Sequence, residues 1–186
     1  MGVISGVQNS LPRGVYSKVC RYRYEVFVER LGWQLPTRRG IELDQFDRPD
    51  TVYVVAENDK SDIIGCARLL PTTGPYLLSE VFPQLLNGLP PPQSPDVWEL
   101  SRFAAMDLEQ RVDSVKNQCS SPIAVRLLQE SISCAAGRGA KRLITVSPVG
   151  VERLLHKAGF KAHRAGPPVV VDGHAIVACI IEVTCD

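Results

Sequence analysis

The chain lacks the long apolar run that a transmembrane helix requires. None of its apolar stretches approaches the ~20 residues needed to span a bilayer. The first residues, MGVISGVQNSLPRG, contain no basic segment followed by a long apolar one, and they miss the spacing typical of N-myristoylation. We therefore expect no membrane insertion and a location in the cytoplasm.

Signatures of metal binding and of a disulfide framework are also missing. The six cysteines are scattered without a C-x-x-C pair, and the three histidines have no metal-ligand spacing. The cysteines in apolar surroundings are Cys20, Cys66, Cys134 and Cys179. Because reduced, buried thiols are common in such surroundings, we expect free thiols and no bound metal.

The composition of the 186 residues, 45% hydrophobic and 22% charged, is ordinary for a globular chain. This length is enough for one domain over residues 1–186 with a sizeable core. The net charge of +1 hides a separation: residues 42–62 carry seven acids and two bases, whereas residues 138–164 carry seven bases and one acid. Two solvated faces explain each single charge, but the whole pattern equally suits a small cationic ligand and an acidic partner. Without interleaved aromatics, the basic residues do not indicate nucleic-acid binding.

Hydrophobic periodicity and Gly/Pro punctuation give a coarse secondary structure. Helices are predicted at residues 17–31, 79–86, 122–136 and 150–158, and strands at residues 51–57, 63–70, 97–105, 142–146, 169–171 and 175–183. Strands dominate the first half and alternate with helices in the second. This pattern is typical of one mixed, twisted α/β sheet with helices on its faces.

The strand WELSRFAA carries polar residues where a core strand would be apolar. Strict alternation places Glu99, Ser101 and Phe103 on one face and turns Arg102 to the other. A Glu and a Ser beside a Phe can form the wall of a site. A buried Glu neutralised by an arginine on a neighbouring strand, such as Arg68, explains the same residues, and chemistry alone leaves both interpretations open.

A second cluster combines an arginine, two aromatics and several carboxylates. It consists of Arg23, Phe27 and Trp33, followed by Glu42, Asp44 and Asp47. Aromatic faces can hold a base or a cation, and carboxylates can hold an ammonium group, so the set suits a cationic, aromatic ligand. Two core aromatics followed by a solvated acidic loop are the simpler interpretation of any single residue.

Both clusters belong to an ordered set of motifs. The set is Arg23-x3-Phe27-x5-Trp33, Glu42-x-Asp44-x2-Asp47, Arg68 in GCARLLPT, Phe82-Pro83 and Glu99-x-Ser101-Arg102-Phe103. In order and spacing it resembles the acyl-homoserine-lactone synthases, the autoinducer synthases of bacterial quorum sensing. The resemblance covers about the first 105 residues, and the second half matches only in outline, with Thr145 in RLITVS.

The resemblance implies an N-acyltransferase-like fold: a mixed twisted sheet in a three-layer sandwich with helices on both faces. It also implies two substrates, S-adenosylmethionine and an acyl chain on acyl carrier protein, with no prosthetic group. The acidic carrier would suit the basic second half of the chain.

The roles implied are as follows. Glu99 would act as the general base on the α-amine, and Ser101 would orient the amine or a water. The S-adenosylmethionine end would comprise Arg23, Phe27, Trp33, Asp44, Asp47, Arg68, Arg102 and Phe103. The acyl chain would contact Phe82, Leu100, Ile123, Leu127 and Thr145, and the carrier would dock on Arg138, Lys141, Arg142, Arg153 and Lys157. In a strand without a bulge, Arg102 faces away from Glu99 and would only support the site. A bulge in the strand would change that direction.

Two rival functions share parts of this pattern. A coenzyme-A-dependent N-acetyltransferase has the same expected fold, but it would normally carry R/Q-x-x-G-x-G/A at a strand-to-helix junction. The nearest string, GRGAKR from Gly137, comes after a helix and before a strand. A non-enzymatic module that binds a small ligand is the other rival, and release of methylthioadenosine would distinguish it from a synthase.

Overall fold

The computed structural model describes residues 1–109 and 121–183. Within these ranges the chain forms eight β-strands and four α-helices. The bounds in chain order are β1 Gly2–Val7, α1 Val15–Arg23, β2 Val52–Glu57, β3 Ile63–Pro71, α2 Leu77–Val81, β4 Val97–Ala105, α3 Pro122–Ala136, β5 Arg142–Pro148, α4 Val151–Lys157, β6 Ala162–Arg164, β7 Val169–Val171 and β8 His174–Glu182. A π-helical stretch, Tyr24–Arg30, continues α1, and 3₁₀ turns occupy Gln8–Ser10 and Pro83–Leu86.

The chain divides into two compact units, and β3 and β4 each pass from one unit to the other. The first unit comprises Met1–Arg68 and Arg102–Glu130, and the second comprises Leu69–Ser101 and Ser131–Asp186. The assignment of one domain to residues 1–186 stays a prediction.

In the first unit the strand order is β1-β2-β3-β4. Strand β1 pairs antiparallel with β2, and the polar turn between β2 and β3 is closed by hydrogen bonds between Asn58 and Asp62. One face of this sheet is covered by α1, whose buried Val15 and Val19 join the apolar core. Helix α3 packs closely at Gly65, where an added Cβ would lie only 3.2 Å from the Leu127 side chain. The small residue at this position therefore allows the helix to approach the strand.

In the second unit the strand order is β3-β4-β5-β8-β6, and β7 pairs with β8. Strands β4 and β5 are parallel and pair at Val97–Glu99 with Arg142–Ile144. Strands β5 and β8 pair antiparallel over seven residues, so the sheet is mixed. A mixed sheet with helices agrees with the fold class expected from the sequence.

Three predicted elements match the structure throughout: the strands Val97–Ala105 and Val169–Val171 and the helix Pro122–Ala136. The helix predicted at residues 17–31 begins earlier, at Val15, and its second half is π-helical. The helix predicted at residues 79–86 is wrong as one element, because it is a short α-helix followed by a 3₁₀ turn that Pro83 begins. Strands β1 and β6 were not predicted.

Three of the four cysteines expected to be free thiols, Cys20, Cys66 and Cys179, are buried, and Cys134 is half-buried. The described cysteines Cys20, Cys66, Cys134 and Cys179 are free thiols, and Cys119 and Cys185 lie outside the described residues. Burial raises the pKa of the Cys66 thiol to about 12, which keeps it protonated. No helix in the part of the chain described here has the length and apolar character needed to cross a membrane.

Candidate active site

The end of the first helix positions two aromatic rings. The Leu31 N–H bonds to the Val26 carbonyl, the i→i−5 pattern of a π-helix, and Gly32 then takes a left-handed φ of 70°. This turn brings the Trp33 N–H to 2.9 Å from the Phe27 carbonyl oxygen. The two rings stack with centroids 4.8 Å apart and planes 22° from parallel. Phe27 is buried, whereas 43% of Trp33 is exposed, so the stack offers one aromatic face to solvent.

The acidic loop after Trp33 is fixed onto this helix. The Glu42 N–H bonds to the Cys20 carbonyl at 3.1 Å, and Glu42 also forms an isolated β-bridge with Thr37. Further along, the Asp44 side chain accepts the Phe46 N–H, and the Asp47 side chain accepts the Asp44 N–H. These local bonds are typical of Asx turns, and they hold the carboxylates in fixed directions.

Three arginines and three acids form a buried charged cluster in the first unit. Its members are Arg23, Arg68, Arg102, Glu42, Asp44 and Asp47. Arg23 binds Glu42 through Nε at 2.5 Å and grips Asp47 with both terminal nitrogens, at 2.6 and 3.0 Å. The bidentate fork matches the planar carboxylate and is stronger than a single contact.

The other two arginines extend the same network. Arg68 binds Asp44 at 2.5 Å and lies 3.4 Å from Asp47, while Arg102 bridges Glu42 at 2.9 Å and Asp44 at 2.8 Å. The cluster is electrically neutral, with three charges of each sign. Its acids are therefore not the solvated loop residues that the simpler interpretation of the sequence suggested.

Within the cluster, the ionised form of Asp47 is stabilised by its arginine partners. Burial opposes ionisation of Asp47, but the hydrogen bonds and charge of Arg23, with Arg68, hold the pKa of this carboxyl well below its usual range. Burial raises the pKa of the Tyr53 hydroxyl, and the charge of Asp47, which accepts that hydroxyl's hydrogen bond at 2.8 Å, raises it further. Among the described residues no group of three metal-ligating side chains is arranged to hold an ion.

The cluster also contacts the aromatic residues. The Arg102 guanidinium carbon lies 5.9 Å from the centre of the Phe27 ring, and that of Arg68 lies 5.6 Å from the ring of Phe46. Both distances are within the range of cation–π attraction. The Phe27–Trp33 stack is thus in contact with the charged cluster through Arg102 and is not a separate apolar patch.

The backbone of strand β4 departs from regular strand geometry at Arg102, whose orientation relative to Glu99 stays a prediction. Arg102 takes a left-handed φ of 50°, which few residues other than glycine adopt within a strand. Leu100, Ser101 and Arg102 are all buried in succession, so burial alone does not distinguish the two faces of the strand there. With this backbone conformation Arg102 reaches Glu42 and Asp44 and joins the cluster.

Glu99 lies in the second unit and is almost fully buried. Its carboxylate accepts the backbone N–H groups of Leu77 and Leu78, at 3.1 and 2.7 Å, at the first turn of α2. These two bonds fix the carboxylate against the start of the helix. Burial raises the pKa of the nearby Tyr76 hydroxyl to about 12, and the negative charge of Glu99 adds to that effect.

The candidate acyl-binding residues differ in exposure. Leu100, Leu127 and Thr145 are buried, and Thr145 pairs with Cys179 across the antiparallel strands β5 and β8. Phe82, Phe103 and Ile123 are half-buried. Phe82 ends α2, where its N–H bonds to the Leu78 carbonyl at 3.1 Å.

The candidate docking residues Arg138, Lys141, Arg142, Arg153 and Lys157 are all exposed. Lys141 pairs with Asp96 at 2.8 Å, and Arg138 donates to the Cys134 carbonyl. Such surface contacts are weak, so these cations stay accessible to a partner.

Sequence reasoning did not assign to the candidate site three residues that belong to the charged cluster or contact it. Glu42 was part of the motif, yet it was not assigned to the ligand site, although it joins Arg23 to Arg102. Phe46 and Tyr53 were not singled out at all. The signal for Glu42 was its fixed spacing from Asp44, whereas Phe46 and Tyr53 read as ordinary core residues.

Known proteins resemble this chain over nearly its whole length. The autoinducer synthase family profile matches residues 8–186. The acyl-homoserine-lactone synthase of Acinetobacter nosocomialis is 58% identical over 183 residues, which is 98% of this chain and the whole of that protein. A crystal structure of TofI in a ternary complex with an inhibitor and MTA is 45% identical, with a TM-score of 0.84 over 98% of this chain and 92% of TofI.

A third relative has a different acyl donor in its name. The CoA-dependent acyl-homoserine lactone synthase BjaI, with SAM and isopentyl-CoA, is 29% identical, with a TM-score of 0.82 over 98% of this chain and 82% of BjaI. A distant acyl-CoA N-acyltransferase from Pseudomonas aeruginosa, only 13% identical, has the same fold, with a TM-score of 0.61 over 96% of this chain and 97% of the other.

The fold class is therefore that of the N-acyltransferases, as the sequence predicted. Within that class, the chain belongs to the autoinducer synthase family, the acyl-homoserine-lactone synthases. It is an enzyme, and the two rival functions, an N-acetyltransferase and a simple binding module, are set aside by the match over nearly the whole chain.

Proposed function

We propose that this enzyme makes an N-acyl-L-homoserine lactone from S-adenosylmethionine and an acyl chain carried on acyl carrier protein, and that it releases methylthioadenosine. The observation that carries the proposal is the neutral cluster of three arginines and three acids beside the Phe27–Trp33 stack. Support also comes from TofI, whose crystal structure contains MTA, and from BjaI, whose structure contains SAM.

The site suits S-adenosylmethionine because of its mixed chemistry. The ligand carries a sulfonium cation, an aromatic base and an α-amino acid end. The exposed face of Trp33 can stack on the base or attract the sulfonium. The buried cluster would hold in place the loop and the strand that contact the charged end of the ligand. Each of its side chains is fixed by at least one ion pair, and these include Asp44, Asp47, Arg23, Arg68 and Arg102. Phe103 follows Arg102 directly in β4 and would line the same ligand.

Glu99 is the proposed general base. A free α-amino group has a pKa of ~8, so a carboxylate that acts directly or through one water can remove its proton at neutral pH. The amide bonds from Leu77 and Leu78 fix the direction of the Glu99 carboxylate. Ser101, two residues further along β4, would orient the amine or the water.

The reaction has two bond-forming steps. The neutral amine attacks the acyl thioester carbonyl, and the carrier thiol leaves. The methionyl carboxylate oxygen then attacks its own γ-carbon, and the C–S⁺ bond breaks to release neutral methylthioadenosine. The second step is intramolecular, so holding the chain bent can supply several kcal/mol of the rate enhancement by orientation alone.

The acyl chain would contact Phe82, Leu100, Ile123, Leu127 and Thr145. Most of these side chains are apolar, and none carries a charge. Thr145 adds a buried hydroxyl that could bond to a polar 3-substituent of the chain.

The carrier protein would dock on the exposed cations of the second unit. Acyl carrier proteins are strongly acidic, and Arg138, Lys141, Arg142, Arg153 and Lys157 provide five exposed positive charges. Complementary charge of this kind accelerates association more than it adds affinity.

An acyl-coenzyme A donor is the second candidate, because BjaI is CoA-dependent. The experiment is a direct comparison of the two donors with the same acyl chain, by kcat/KM. A preference of at least about tenfold for the carrier-bound chain is expected, equivalent to roughly 1.4 kcal/mol. An equal or greater kcat/KM with the coenzyme A thioester would contradict the carrier assignment while leaving lactone synthesis intact.

A further inference from the structure

One glycine of the second unit is in contact with the backbone of the segment that carries Phe82. A Cβ added to Gly166 would overlap the Leu85 carbonyl oxygen and lie 3.2 Å from the Leu85 carbonyl carbon. It would also lie 3.5 Å from the Asn87 backbone nitrogen. Since these are backbone atoms and not a flexible side-chain end, the turn itself would have to move.

Gly166 is held firmly on its own side. The preceding Ala165 N–H bonds to the Ala178 carbonyl at 2.8 Å, directly after the pairing of β6 with β8. Pro167 and Pro168 follow and restrict the backbone further. A side chain at Gly166 would therefore displace the Leu85 turn rather than its own strand.

From Leu85 a continuous series of backbone bonds leads to the proposed base. The Leu85 N–H bonds to the Phe82 carbonyl, and the Phe82 N–H bonds to the Leu78 carbonyl, each at 3.1 Å. The Leu78 N–H donates to Glu99 at 2.7 Å. Residues 77–86, the Phe82 segment, are therefore held at one end by the Glu99 carboxylate and at the other by close contact with Gly166.

We infer that Gly166 is a positioning residue for acyl-chain selection: the absence of its side chain sets the place of the Phe82 segment. This inference rests on the proposed function, in which Phe82 contacts the acyl chain. Displacing the segment by the size of a methyl group changes the space at Phe82. In an apolar pocket one methylene changes discrimination by roughly 10- to 200-fold, so even a partial shift is measurable.

The test compares Gly166→Ala with Gly137→Ala. Gly137 lies in the same unit, has no left-handed φ, and its added Cβ would meet only ordinary contacts at 3.5 and 3.8 Å. The readout is the ratio of kcat/KM for dodecanoyl and hexanoyl donors, with the KM for S-adenosylmethionine measured in parallel. In Gly166→Ala this ratio should change by about tenfold and the KM for S-adenosylmethionine by less than about twofold, whereas Gly137→Ala should change neither.

Two further variants keep the test decisive. Asn87→Gly preserves the left-handed φ of 52° and so should fold, but it loosens the end of the Phe82 segment and should change the same ratio by about threefold. In the double variant with Phe82→Ala, Gly166→Ala should change the donor ratio little beyond the effect of Phe82→Ala alone, because both substitutions act on one contact.

The outcomes separate the two hypotheses. A uniform loss of activity with an unchanged donor ratio in every variant that folds would overturn the role of Gly166, since a merely structural residue behaves in that way. A wild-type enzyme that forms no lactone from either donor would instead contradict the proposed function itself.

Discussion

Replacing Asp47 by asparagine should destabilise the protein strongly, although the two side chains have nearly the same shape. The Asp47 side chain is 2% exposed and accepts hydrogen bonds from Arg23, Tyr53 and the Asp44 N–H. The substitution removes one negative charge and leaves the buried guanidinium groups of Arg23 and Arg68 short of a counter-charge. Breaking a buried pair in this way costs about 3–5 kcal/mol, a large part of the free energy of unfolding of a domain.

The matched control is Asp50→Asn. Asp50 also pairs with an arginine, Arg48, at 3.0 Å, but its side chain is 59% exposed. The control should therefore lose less than about 1 kcal/mol. Urea unfolding followed by circular dichroism measures both changes, and the corresponding fall in melting temperature should be about 10 °C for Asp47→Asn. Equal losses for the two variants would refute the buried-cluster argument.

The pairing of Asp47 with Arg23 also makes the stability of the fold depend on pH. Because the pKa of Asp47 is lowered in the folded protein, its ionised form stabilises the fold above the unfolded value of ~3.9. That contribution is lost as the pH falls through the lower folded pKa. The stability difference between wild type and Asp47→Asn should therefore be constant between pH 5 and 8 and shrink below about pH 4. A difference that grows on acidification would contradict this sign.

Three further predictions concern the reaction. Glu99→Gln should lower turnover by at least about 100-fold while methylthioadenosine binding, measured by calorimetry, stays near wild type; near-normal turnover would refute the assigned base. Trp33→Ala should raise the KM for S-adenosylmethionine about tenfold, because a stacking face is worth about 1–3 kcal/mol. Trp33→Phe keeps an aromatic face, so its KM should stay close to that of the wild type. An unchanged KM in Trp33→Ala would exclude stacking. Raising salt from low to moderate should increase the KM for the acyl carrier several-fold and leave that for S-adenosylmethionine nearly constant; a salt-insensitive carrier KM would argue against docking on the exposed cations.

The sequence predicted best those elements that proline and glycine delimit. The strand Val97–Ala105 follows a proline-rich connector, and the helix Pro122–Ala136 starts at a proline and stops before Gly137. Strand β1 could not be predicted, because its residues Gly2, Ser5 and Gly6 leave no alternating pattern, and only pairing with β2 makes it a strand.

For the charged cluster of the candidate site, the motif named the residues but not their arrangement. The motif identified Arg23, Asp44 and Asp47, but no periodicity reveals that a loop will bury its carboxylates against three arginines. Likewise, strict alternation could not show that Arg102 takes a left-handed φ in β4 and pairs with Glu42 and Asp44, because such a φ is set by tertiary contacts and not by local preference. The amide bonds to Glu99 come from residues 22 and 21 positions away, which sequence spacing cannot show.

The measurement that tests the central claim most directly is product analysis by mass spectrometry with the purified enzyme, S-adenosylmethionine and an acyl-loaded carrier protein. The proposed reaction predicts methylthioadenosine and acyl-homoserine lactone in a one-to-one ratio, both dependent on the acyl donor. Methylthioadenosine without lactone, or acyl transfer to an acceptor other than the methionyl amine, would contradict it.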